Sequence, residues 1–144
     1  MQTITWKPDF LTGINAIDSE HHEIFDRLLA VEHAMVKRDP WHIMQFLLAD
    51  VAHAMKFHFA VEEALLEMIG FPEREAHRQL HLKLTLELTE LERKIKKDNS
   101  PTDLVHFFEE WFVKHVLVED RRFIDFAQMA LAHFTNAAHR TEQN

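Results

Sequence analysis

Four stretches of this chain repeat apolar residues at intervals of three and four, and short proline- or glycine-bearing breaks separate them. That interval returns side chains to one face of a 3.6-residue helix, so each stretch reads as an amphipathic helix. The first runs from Asp18, read as its N-cap, to about Arg38. Asp39-Pro40 breaks it; Asp39 is expected to cap the next helix, with Pro40 at its first position. The second runs from about Trp41 to Met68 and stops at Gly70-Phe71-Pro72. The third covers about Glu73 to Lys97, and Asp98-Asn99-Ser100-Pro101 separates it from a fourth that reaches about Glu119. A shorter fifth helix, about 121–136, carries Phe123, Phe126, Ala130 and Phe134 on one stripe, and the last eight or so residues are expected to fray. Connections this short make sequential helices antiparallel. The fold expected is therefore all-α, one domain over 1–144. It is an up-down-up-down four-helix bundle (17–119) with an N-terminal arm (1–16) and a short C-terminal fifth helix. The arm has no helical period and is expected to pack through Trp6, Phe10, Leu11 and Ile14.

The stripes contain residues that a core avoids. The first helix gives Ile17, His21, Ile24, Leu28, Val31 and Met35. The second gives Met44, Leu48, Val51, Met55, His58, Glu62, Leu65 and Ile69. The third gives His77, His81, Leu84, Leu88, Leu91 and Ile95, and the fourth gives Leu104, Phe108, Trp111, His115 and Val118. Ionisable groups enter a core only when something compensates them. At 1.5 Å rise per residue, His21 lies roughly 6 Å from the start of its helix, and His77 and His81 lie roughly 6 and 12 Å from the start of theirs. Glu62 and His58 lie roughly 9 and 15 Å from the end of the second helix, and His115 about one turn from the end of the fourth. Antiparallel packing brings those four ends together, so one layer collects all of these groups. Asp120 follows His115 by five residues, which in an ideal helix turns it about 140° away. It joins the layer only if the helix ends there or takes a π-type turn. Glu63, His22, Glu119 and Asp125 remain rivals for the places of Glu62, His21 and Asp120. The other histidines (His22, His33, His42, His53, His106, His133, His139) read as surface or rim residues.

Charge and composition exclude several functions. The net charge of -8 repels phosphate backbones, so no nucleic-acid partner is expected. The absence of cysteine removes thiolate metal sites, disulfides and thiol catalysis, and fits a reducing compartment. No apolar run approaches 18 residues and no secretion signal is visible at Met1–Trp6, so no membrane span and a cytoplasmic location are expected. What remains is a buried metal centre of nitrogen and oxygen donors. Five histidines and two carboxylates exceed the needs of one tetrahedral zinc ion. Two ions, bridged by both carboxylates and a solvent-derived oxygen, would use them all. One ion then takes three histidines and reaches six donors; the other takes two and reaches five, leaving a position for a small diatomic ligand. Imidazole suits zinc, copper, iron and nickel, and carboxylate shifts the balance toward harder ions; of these, iron is the metal that binds oxygen reversibly with such ligands.

The chain resembles the bacterial hemerythrins, the bacteriohemerythrins of the hemerythrin family, over nearly its whole length. The resemblance is carried by Trp6, by Gly13 with Ile17-Asp18-x-x-His21, and by His58-Phe59-x-x-Glu62-Glu63. Gly70-Phe71-Pro72 with His77-x-x-x-His81, and Trp111-x-x-x-His115-x-x-x-x-Asp120, complete it. It implies two iron ions, cycling between Fe2+ and Fe3+, joined by an oxo or hydroxo bridge and binding O2 reversibly. It implies that His77, His81 and His115 hold the six-coordinate iron, that His21 and His58 hold the five-coordinate one, and that Glu62 and Asp120 bridge them. Glu20 departs from the pattern, since relatives usually carry Gln there; an added negative charge is expected to favour the ferric state.

By helical spacing Trp111, Val116, Phe59, Phe112 and Leu28 lie near the layer and are candidates for an apolar O2 pocket. The reading that follows is an oxygen-binding protein for storage, delivery or scavenging, not an enzyme. It is expected to be a monomer that passes oxygen to a protein partner if it delivers it. Two alternatives stand beside it: a sensor of O2, NO or redox state acting through a partner, and a di-iron oxidase. The oxidase reading is weakened because ferritin-type sites use Glu-x-x-His motifs, and none occurs here.

Overall fold

The computed structural model describes residues 4–142, with side chains as far as 133. Four helical runs account for most of it: α1 Asn15–Lys37, α2 Trp41–Ile69, α3 Arg74–Asp98, and a last run opening with α4 Pro101–Phe108. After α4 the ladder changes to π geometry over Glu109–Asp120 and then returns to α geometry as α5, Arg121–Glu142, with no break between. The fifth helix is thus a continuation of the fourth and extends beyond the expected end near 136. Phe123 is buried and Phe126 partly so, but the stripe also uses Ile124 and Ala127. Phe134 and the C-terminal residues expected to fray lie outside the described side chains.

The helix ends show where local signals mislead. Ile14, not Asp18, holds the N-cap position of α1. Asp18 sits in the first turn, where its carboxylate accepts hydrogen bonds from Thr12 N (2.7 Å), Thr12 Oγ1 (2.7 Å) and Gly13 N (3.1 Å). The acid therefore ties down the turn that leads into the helix. Pro40 is the N-cap residue of α2 rather than its first helical residue, and the Asp39 side chain makes no cap bond there. Instead Asp39 N donates to Ala34 O (3.0 Å) and Arg38 N to Met35 O (3.1 Å), closing α1 with Arg38 in the left-handed region at φ 57°. Gly70 closes α2 the same way at φ 68°, with Phe71 N bonded to Leu66 O (3.0 Å).

The α1 and α3 stripes are buried as expected. On α2, Phe59 and Leu66 are buried, and Leu65 and Ile69 are only partly so. Val118 is 55% exposed, because the π ladder rotates it away from the core and brings Phe112, Val116 and Asp120 inward. In the arm, Ile4 and Phe10 are buried, Trp6 packs against the core, and Leu11 is exposed rather than packed. Ile4 N donates to the buried Glu32 carboxylate (3.0 Å), which pins the arm to α1.

Two apolar clusters result. The larger runs from Ile4 and Phe10 through Leu28, Leu48 and Leu88 to Trp111 and Val116. The smaller contains Ile17, Leu66, Phe71, Phe123, Ile124 and Ala127. His21, Glu62 and Asp120 fall in sequence between members of the two clusters on their helices, so a polar layer lies between two dry ones. Among the described residues no helix is long and apolar enough to cross a membrane.

Candidate metal centre

Each polar residue of this layer except Asp120 replaces an apolar residue on a core stripe, so helix packing turns it inward. His21 comes from α1, His58 and Glu62 from α2, His77 and His81 from α3, and His115 and Asp120 from the π segment. The two i,i+4 pairs share a face by α-helical spacing. His115 and Asp120 share one because an i→i+5 ladder stacks residues five apart. All seven are buried, none more than 4% exposed.

They form two overlapping groups. Donor atoms of Glu62, His77, His81, His115 and Asp120 lie within 4.8 Å of one another, and so do those of His21, His58, Glu62 and Asp120. Both carboxylates belong to both groups, and each divides its oxygens between them. Glu62 Oε1 faces His77 Nε2 (2.5 Å) and His81 Nε2 (3.1 Å), while Oε2 faces His58 Nε2 (3.1 Å). Asp120 Oδ1 faces His77 Nε2 (3.1 Å) and His115 Nε2 (3.0 Å), while Oδ2 faces His21 Nε2 (3.5 Å). The His21 and His58 Nε2 atoms are 3.0 Å apart.

The rivals lie elsewhere. His22 is half exposed, stacks on Trp6 (4.1 Å between centroids) and stands 3.8 Å from Asp26. Asp125 is exposed, and Glu119 pairs with Arg122 (3.7 Å). Glu63 sits behind the cluster, its Oε2 3.3 Å from His81 Nδ1 and its Oε1 3.2 Å from Arg78 Nε. Glu20 Oε2 holds His58 Nδ1 at 2.9 Å. Sequence reading gave neither acid its place: Glu63 counted only as a stand-in for Glu62, and Glu20 only as a nearby charge. Each adjoins a stripe residue about 100° round its helix, but that step alone does not say which neighbouring helix it meets. Of the other histidines, His33, His42, His53, His106 and His133 are exposed as expected, and His139 lies outside the described side chains.

The electrostatics are those of a cation site. His115 Nε2, Glu62 Oε2 and both Asp120 oxygens are buried without hydrogen-bond geometry to any partner, although oppositely charged atoms stand about 3 Å away. Lone pairs that converge on a shared space rather than on one another suit a metal ion. Burial disfavours charge on His58, but Glu20, Glu62 and Asp120 outweigh it and push the ring up to about 10. His77 is likewise pushed up to about 9, as Asp120 and Glu62 overcome its burial. Burial and mutual repulsion work to raise Glu62, yet His58, His77 and His81 hold it well below the usual carboxylate range. Asp120 is lowered too, against its burial, by His115, His21 and His77. Positive charge at His58 and His77 therefore balances the two acids, and a metal ion can take its place.

The five candidate pocket residues are all buried. Phe59 stacks on His81 (4.0 Å between centroids) and Trp111 on His115 (5.7 Å), with Phe59 and Trp111 in contact at 4.9 Å. Phe112 meets His21 edge-on at 6.4 Å. Val116 and Leu28 belong to the larger apolar cluster, and Leu28 lies about 10 Å along α1 from His21.

Comparison with known proteins gives one answer. Residues 12–127 match the Hemerythrin family model, described as the hemerythrin HHE cation binding domain. A bacteriohemerythrin of Clostridium acetobutylicum is 30% identical over 129 residues, which cover 83% of this chain and 98% of that protein. Bacteriohemerythrins of Stenotrophomonas maltophilia and Pseudomonas paraeruginosa are each 25% identical. The first alignment covers 93% of this chain and 88% of that relative, the second 87% and 82%. With a helical bundle, a buried His/Glu/Asp cluster able to hold metal, and a family match over most of its length, the chain belongs to the hemerythrin family.

Proposed function

We propose that the seven side chains hold two iron ions and that the pair binds O2 reversibly, for storage, delivery or scavenging. One observation carries this reading: Glu62 and Asp120 each turn one oxygen to a three-histidine group and the other to a two-histidine group. Carboxylates so placed bridge two ions. His77, His81 and His115 would hold one ion and His21 and His58 the other, which would keep fewer protein donors and so a position for ligand. Two irons held there would supply the electrons that O2 takes up and returns, passing between Fe2+ and Fe3+. The chain's residues do the rest. Phe59, Trp111, Phe112, Val116 and Leu28 form apolar walls that keep water and protons from the bound gas. Glu20 and Glu63 fix the tautomers of His58 and His81 by accepting from Nδ1, which leaves Nε2 free to bind metal.

Anaerobic reconstitution followed by a visible spectrum with and without O2 tests the proposal. Two irons per chain and a visible band that appears with O2 and disappears on its removal are expected. A single zinc ion, or a spectrum that O2 changes irreversibly from the first exposure, overturns it.

A further inference from the structure

The acids behind the cluster are not equivalent. Glu63 divides its charge: one oxygen meets His81 Nδ1 at 3.3 Å, and the other meets the Arg78 guanidinium at 3.2 Å. Glu20 meets His58 Nδ1 at 2.9 Å, and no arginine or lysine is paired with it among the described residues. Its side chain is 18% exposed, so water screens it only in part. His58 belongs to the two-histidine group and His81 to the three-histidine group. Among the described residues, a carboxylate with no arginine or lysine partner therefore stands behind one group, and one that shares the Arg78 guanidinium with Glu75 (3.3 Å) stands behind the other.

We propose that Glu20 is a positioning residue that sets the electron-donating strength of His58, and so biases the two-histidine iron towards Fe3+. The proposal rests on the di-iron reading above. An imidazole that donates Nδ1–H to a carboxylate is a stronger base at Nε2 than one that donates to a neutral acceptor. Fe3+ carries one more positive charge than Fe2+, so a negative charge one ring away stabilises it more, and poor screening enlarges the difference. Glu63 exerts the same pull on His81 with its charge partly offset by Arg78, which Glu75 shares. The asymmetry makes the ion with the vacant position the easier one to oxidise.

The experiment compares Glu20→Gln, Glu20→Ala and Glu63→Gln with the unaltered chain, each loaded anaerobically with Fe2+. The readouts are iron content, iron retention against a chelator, and midpoint potential by spectroelectrochemistry. Glu20→Gln keeps a hydrogen-bond acceptor and loses the charge: two irons should remain and the potential should rise. Glu20→Ala loses both, and iron retention should fall about ten- to a hundredfold. Glu63→Gln should raise the potential less than Glu20→Gln does. A Glu20→Gln potential at or below that of the unaltered chain, or a Glu63→Gln shift as large, overturns the proposal while leaving the di-iron reading intact. An unaltered chain that takes up no iron overturns both.

Discussion

Glu62 and Asp120 differ from the surrounding histidines in what their loss should do. A histidine serves one group and a carboxylate serves two, so Glu62→Ala should lower iron content at both positions. His81→Ala should weaken retention mainly at the three-histidine position. Glu119→Ala, although it alters a carboxylate next to Asp120 in sequence, should leave two irons, because that side chain pairs with Arg122 on the surface. Iron analysis of the three variants checks this ordering, and equal loss from Glu62→Ala and Glu119→Ala would contradict it. Val116 permits a finer test. It is 3% exposed and adjoins His115, so Val116→Ser puts a hydroxyl into the apolar wall at nearly constant volume. The site should still assemble, at a stability cost of about 1–3 kcal/mol for the buried hydroxyl. The oxygenated form should decay to the ferric state markedly faster by stopped-flow absorbance; an unchanged rate would mean that Val116 does not guard the ligand position.

At the level of elements, the π segment brings Asp120 to the cluster. An alanine inserted between Glu119 and Asp120 would put Asp120 six residues after His115, off the shared face. Iron binding should drop by at least one ion per chain while far-UV helicity stays unchanged; full loading would show that the ladder does not position the acid. Arg38 offers an independent test of helix ending. A left-handed L-residue costs roughly 1–2 kcal/mol, so Arg38→Gly should raise the melting temperature despite the greater freedom of glycine in the unfolded chain. These two features also show what the sequence could express. The α3 stripe from His77 to Ile95 was readable residue by residue because an unbroken α ladder keeps one period throughout. The same period misplaced Val118 once the ladder changed, and only the five-residue step from His115 to Asp120 hinted at the change. Asp18 and Asp39 have the chemistry of caps, but whether a carboxylate meets its own helix or the preceding turn depends on where the chain enters. The contacts of Glu20 with His58, Glu63 with His81 and Glu32 with Ile4 cross between elements. A stripe shows which residues face inward but not how far a flanking residue turns towards its neighbour, so these partners were not legible.

At the scale of the whole molecule, the polar layer divides the apolar interior into two clusters, so the charge state of the layer must affect the stability of the bundle. In the metal-free protein, His58 is raised to about 10 and His77 to about 9 from an ordinary value of 6.5. Groups raised on folding contribute stability that is complete below the unfolded value and disappears as pH rises through the folded one. Glu62 and Asp120 are lowered, so their contribution is present above the ordinary carboxylate values of 4.5 and 3.8 and is lost as pH falls. The metal-free bundle should therefore be most stable between about pH 4.5 and 6.5 and weaken steadily towards pH 10. The loaded protein should not weaken over the upper part of that range, because metal-held rings have no proton to lose there. Metal displaces the protons of His58 and His77, so loading near neutral pH releases protons and the affinity rises with pH until both rings are neutral without metal. Binding to the folded state stabilises it in proportion to the logarithm of that affinity. The gap between the two melting temperatures should then widen from pH 6 to pH 9, which anaerobic calorimetry on metal-free and Fe2+-loaded protein can measure. Parallel curves would mean that the proton and the metal do not compete for the same nitrogens, and that the layer is held together by something other than the charge balance described here.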